Sequence, residues 1–110
     1  MGWLLRDGEV LASIEVLDSR ARRLQGVAGR SSLEGAVLLR PARAVHTFGV
    51  RFPIDVVFCQ ADLVVLDTVE ALGPYRVTAP RPRARCVIEV EAGSVARWQL
   101  RPGDQLELQG

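Results

Sequence analysis

The single histidine of this 110-residue chain, His46, precedes Asp55, and between them lies Gly49-Val50-Arg51-Phe52-Pro53. A carboxylate held against an imidazole tunes a proton acceptor near neutral pH, so His46 and Asp55 are the candidate acid and base. A turn over 49–53 would bring the two flanking extended segments side by side. Asp55 also sits in an otherwise apolar run, Ile54-Asp55-Val56-Val57-Phe58, where a carboxylate is costly unless it is hydrogen-bonded or paired. The competing expectation is that Asp55 accepts backbone N–H groups or an arginine, Arg30 or Arg51, and pins the loop. Buried polar groups ordinarily behave in this second way, and the sequence favours it.

Two other groups of residues have usable chemistry. Cys59, Cys86, His46 and Asp55 are soft and hard metal ligands together, but nothing in their spacing resembles the paired ligands of a zinc site. Two cysteines without a CxxC spacing read as buried thiols, and no metal or cofactor is expected. Arg76, Arg81, Arg83 and Arg85 form a basic cluster with Tyr75 beside it, a mixture that single-stranded nucleic acid can use. A net charge of +1 and 5% aromatic residues argue against that partner and for a solvated loop. There is no Gly-x-Ser-x-Gly elbow, phosphate loop or dinucleotide fingerprint, so hydrolase and kinase chemistry lack support.

The elements that must position these residues are mostly strands. Val10, Ala12, Ile14 and Val16 alternate with more polar neighbours over Glu9 to Leu17 and predict a half-buried strand. Asp18 or Ser19 then offers an N-cap, and Leu17, Ala21, Leu24 and Ala28 recur at helical spacing, so a short amphipathic helix should follow, ended by Gly26. Gly35 to Arg40 reads as a buried strand closed by Pro41. Ile54 to Gln60 reads as a central strand, with Ile54, Val56 and Phe58 on one face and Asp55, Val57 and Cys59 on the other. Ala61-Asp62 separates it from a hairpin partner starting at Leu63.

Residues 73–85, rich in proline and arginine, predict an extended, exposed connection. Cys86 to Glu91 predicts a strand with Cys86, Ile88 and Val90 inward and Glu89 and Glu91 outward. Ser94 should cap a helical turn through Trp98, and Leu100 to Asp104 should turn into a last strand, Gln105 to Leu108. The expected fold class is therefore mostly β (α+β). It is a strongly curved or partly open barrel-like antiparallel or mixed sheet of six or seven strands, with one short amphipathic helix and one short C-terminal helical turn.

Length and composition fit one globular domain over 1–110, 48% apolar and 25% charged. All 14 basic residues are arginine, which reads as a G+C-rich genome rather than a phosphate-binding design. The first residues lack the pattern of a signal peptide, and no apolar run reaches the ~18 residues of a membrane span, so the expected location is cytoplasmic.

Five motifs in order resemble those of the domain-of-unknown-function 192 family, also called uncharacterised protein family 0127. They are Gly26-Val27-Ala28-Gly29-Arg30, Gly35 to Leu39, His46 through Phe52-Pro53-Ile54-Asp55 to Phe58, Val87 to Gly93, and Leu100 to Asp104. The resemblance covers about residues 10–108 and implies a small β-rich bacterial or archaeal domain without an established activity. Many members carry Trp-Met-Lys-Asn-Thr where this chain has His46-Thr47-Phe48-Gly49-Val50, and a methionine where it has Ala28. A binding role shared through that lysine and methionine would be altered here.

Three functional expectations follow. The first is a non-catalytic binding or interaction module whose groove lies near His46, Asp55, Arg51 and the loop bearing Arg76, Arg81 and Arg83, with a protein, a peptide or a small anionic ligand as partner. The second is a small enzyme using His46 and Asp55 as an acid/base pair. The third is a structural accessory subunit, which an exposed apolar patch would support. The first is preferred, because no complete catalytic set is present.

Overall fold

The structure, a computed structural model, describes residues 2–110. It begins with a hairpin absent from the sequence reading, in which β1 (Gly2–Arg6) pairs antiparallel with β2 (Glu9–Leu17). Asp7 and Gly8 join them with φ of 53° and 78°, the two left-handed residues that a type I′ turn requires. Along β2 the expected alternation holds at Ile14, which is buried, and fails at Val10, which is 56% exposed.

Helix α1 (Arg20–Gln25) is capped by Ser19, whose hydroxyl accepts the Arg22 N–H at 3.3 Å, and Gly26 ends it in the left-handed region. The apolar stripe expected on this helix does not pack. None of its residues is buried, and Leu24 is 61% exposed. Six residues make fewer than two turns at ~3.6 residues per turn, too few to present a continuous apolar face. Leu17 before the helix and Val27 after it are both buried and anchor the segment instead.

β3 (Ala36–Leu39) then pairs in parallel with β2, so the segment carrying α1 is a crossover. β4 (Ile54–Cys59) and β5 (Val65–Leu72) form the expected antiparallel hairpin, and β6 (Cys86–Glu91) lies antiparallel between β4 and β3. Helix α2 (Ser94–Trp98) and β7 (Glu107–Gln109), which pairs with β1, complete the chain. The sheet has seven strands in the order β5-β4-β6-β3-β2-β1-β7.

The segment leading into β7 returns to the far edge of the sheet. The Gly103 N–H donates to the Val65 carbonyl at 2.7 Å, the Val65 N–H to Asp104 at 2.9 Å, and the Leu106 N–H to Leu63 at 3.1 Å. These bonds draw the two edges together without a continuous ladder, which gives the mostly β, partly open barrel-like mixed sheet. Among the described residues no helix is long and apolar enough to cross a membrane.

Both faces of the sheet are covered. Leu4, Ile14, Leu38, Val57, Ile88, Val90 and Leu106 fill the inside with Val95 of α2. Leu17, Val27, Val37, Val45, Ile54, Val56, Phe58 and Val87 form a second core on the outer face. The loops around α1, residues 41–53 and residues 73–85 supply its cover. The predicted faces of β4 are therefore correct: Ile54, Val56 and Phe58 look into the outer core, Val57 and Cys59 into the inner one.

Candidate functional site

Asp55 is fully buried on the inner face of β4. Its Oδ1 accepts the Ala71 N–H at 2.8 Å, and its Oδ2 accepts the N–H groups of Gly93 and Val95, both at 3.0 Å. The carboxylate thus ties β5 to the start of α2. It also does the capping expected of Ser94, which is instead the buried first residue of that helix; Gly93 precedes it at φ 96° and contributes no side chain. Neither Arg30 nor Arg51 reaches Asp55: Arg30 donates to Glu15 at 3.1 Å.

His46 also spends both ring nitrogens on backbone. The Phe48 N–H donates to Nδ1 at 3.2 Å, which puts the proton of the neutral ring on Nε2, and Nε2–H donates to the Leu24 carbonyl at 2.9 Å. The imidazole fastens residues 41–48 to the end of α1. The His46–Asp55 pairing on which an acid/base mechanism would rest is therefore not made. Each group is satisfied by main chain on a different part of the sheet.

The arginine loop runs beside residues 41–48, which form a strap across the outer face of the sheet. His46 and Val77 form an antiparallel bridge, and Thr47 donates its hydroxyl to the Gly73 carbonyl while accepting the Arg76 N–H. Arg81 is a packing residue: its guanidinium lies 4.3 Å over the buried Phe58 ring and pairs with Asp67 at 2.9 Å. Arg51, Arg76 and Arg83 are exposed, and none of the four lines the cleft beside His46. On the outer side of the strap, Phe48 stacks on His46 at 5.4 Å and Tyr75 tilts against Phe48 at 6.4 Å, both rings half or more exposed.

The cleft itself, about 250 Å3, opens between α1 and the strap over the outer face of β3 and β6. Arg20, Arg23 and Leu24 form one wall, Pro41, Ala42, Ala44 and His46 the other, and Glu89 the floor. The expectation that Glu89 points to solvent is wrong: it is 2% exposed. It does lie on the face opposite Ile88 and Val90, but the α1 segment and the strap cover that face. Val37 and Val56 are its register partners on the neighbouring strands. Gly26, at φ 53°, passes so close that a Cβ there would stand 3.1 Å from Glu89 Oε1.

Glu89 is the residue the sequence reading missed. Among the described residues its Oε1 is buried without a hydrogen-bond partner. Burial pushes its carboxyl up to about 7, against the opposing pull of the nearby Arg30 guanidinium. The available signal was a glutamate flanked by Val87-Ile88 and Val90 in a strand short of polar residues, the same argument that singled out Asp55.

The two wall arginines differ from their neighbours on the helix. Arg22 pairs with Glu15 at 3.2 Å, whereas neither Arg20 nor Arg23 has a carboxylate partner among the described residues; Arg23 donates only to the Asp18 carbonyl at 3.0 Å. Cys59 and Cys86 are register partners on β4 and β6, and both are buried free thiols. The adjacent Cys86 sulfur and burial hold the Cys59 thiol above its ordinary range, so it stays protonated. Among the described residues no three of His, Cys, Asp or Glu converge as metal ligands.

Comparison with known proteins agrees with this architecture. The DUF192 family, described as "Uncharacterized ACR", matches residues 3–108. UPF0127 proteins of Pyrococcus abyssi and Pyrococcus horikoshii are each 27% identical over 99 residues, covering 86% of this chain and 84% and 85% of theirs. A crystal structure of a protein of unknown function from Novosphingobium aromaticivorans superposes with a TM-score of 0.81 at 22% identity, covering 96% of this chain and 82% of that one. A protein from Sinorhizobium meliloti whose name suggests transcription regulation gives 0.82 at 24%, covering 96% and 90%.

Proposed function

We propose that this chain, which belongs to the DUF192 family of uncharacterised proteins, is a non-catalytic binding domain for a small anionic ligand. The observation that carries the reading is the cleft wall, where Arg20 and Arg23 face about 250 Å3 of open space and neither is in a salt bridge among the described residues. A guanidinium is the side chain best suited to grip an oxyanion through paired N–H donors. The volume lies just below the ~300–1,000 Å3 typical of drug-sized ligands, which suits a compact organic acid rather than a nucleotide. The groove is thus shifted from Arg51 and the 73–85 loop to the α1 side of His46, and the catalytic alternative loses its acid/base pair.

The test is a titration with propionate at low ionic strength, followed by amide shifts in the 1H–15N spectrum. Saturable shifts at Leu24, Gln25, Ala44 and His46, abolished in Arg20→Ala/Arg23→Ala and kept in Arg83→Ala, are expected. Shifts spread over the surface, or unchanged in the double variant, would refute the reading.

A further inference from the structure

Within the cleft read above as an anion site, the floor imposes a second requirement. Among the described residues Glu89 Oε1 is a buried acceptor without a donor, at the bottom of a cleft also lined by Arg20, Arg23, Gln25 and His46, none of which bonds to it. Leaving such an oxygen unpaired costs free energy, and nothing in the fold forces it: the outer face of β6 is otherwise filled by Val87, and Val37 and Val56 flank the position. Gly26 lets the backbone pass over the oxygen without a side chain crowding it, because any side chain there would begin with a carbon 3.1 Å away. The arrangement has the form of a specificity contact waiting for a donor.

The charge around Glu89 narrows the donor. Arg20 and Arg23 come from α1, Arg30 from the loop that follows it, and His46 faces the cleft from the strap as a ring already hydrogen-bonded at both nitrogens. Three guanidinium groups disfavour the approach of an ammonium, so a neutral O–H is the donor that the surroundings allow. Of the three, Arg20 and Arg23 line the cleft, and Arg30 is paired with Glu15.

We infer that Glu89 is a specificity-determining residue selecting a hydroxy acid: the anionic group lies against Arg20 and Arg23, and a hydroxyl donates to Glu89 Oε1. The inference rests on the anion-binding reading, and the two can fail separately. The experiment compares lactate and 3-hydroxypropionate with propionate at pH 8, where Glu89 is mainly the accepting carboxylate, by amide shifts in the cleft. At least one hydroxy acid should bind about tenfold or more tightly than propionate, as expected for a hydrogen bond to a buried charged acceptor.

In Glu89→Leu, shown to be folded by its dispersed spectrum and urea midpoint, that preference should fall to within about twofold. Glu89→Gln, which keeps the volume and a neutral acceptor, should be intermediate. Equal binding of all three acids to the native protein would overturn the selection while leaving the anion site standing. A preference that survives in Glu89→Leu would assign it to another residue and overturn the inference. Binding of none of the three would overturn both readings.

Discussion

Glu89 makes a quantitative prediction about stability. In the unfolded chain its carboxyl titrates at the ordinary 4.5, and in the folded protein burial moves it up to about 7. Between those values the folded state holds a proton that the unfolded state has released, so stability contributed at low pH is lost as pH rises through 7. At about 1.4 kcal/mol per pH unit, the interval amounts to about 3 kcal/mol, a sizeable part of the ~5–15 kcal/mol that holds a domain of this size together. Glu89→Gln removes the titration and keeps the shape.

Urea unfolding of both proteins at pH 5, 6, 7 and 8 isolates the effect, because every other titrating group is common to the pair. The variant should gain on the native protein by about 2–3 kcal/mol between pH 5 and pH 8, and most steeply between 5 and 7. Parallel stability curves would mean that Glu89 is hydrated or paired in the folded state, and the argument from its buried oxygen would fail with them.

Two further outcomes test the frame around the cleft. Asp55→Ala leaves the N–H groups of Ala71, Gly93 and Val95 without their acceptor, and unpaired buried donors cost ~1–3 kcal/mol each. A loss of about 3–5 kcal/mol in urea unfolding is expected after allowing for the carboxylate no longer buried, and a loss below about 1 kcal/mol would contradict the capping role. Gly35→Ala forces a left-handed φ of 75° on alanine and sets its Cβ 2.9 Å from the Ser13 carbonyl, a main-chain atom in the neighbouring strand. Its melting temperature should drop by about 10 °C or more, and Ser13→Ala in the same chain should restore little of it, because the carbonyl remains.

Much of the frame was legible because strand formation depends on local pattern. β4 could be read as central from a run that is apolar on both faces apart from Asp55, its two faces from period-2 alternation, and the hairpin to β5 from the short connection. The turn at Asp7-Gly8 is equally legible, since aspartate followed by glycine supplies two left-handed residues at low cost. The helix stripe failed for a different reason. Periodicity says which residues share a face, but not whether a helix of six residues meets anything on that face.

The sequence by itself determined that Asp55 needed partners, because an ionised carboxylate in an apolar strand must be satisfied wherever that strand ends up. Which partners it takes was decided by the tertiary structure, since the backbone of β5 and the start of α2 reach it only after the barrel has curled. Glu89 shows the same division more sharply. Alternation placed it correctly on the face opposite Ile88, yet whether that face meets water or protein depends on the crossover through α1 and the strap held by His46. Those segments are remote in the chain and carry no local signal of where they will lie. Burial of a side chain on a covered sheet is a property of the cover, and the cover is assembled by long-range contacts alone.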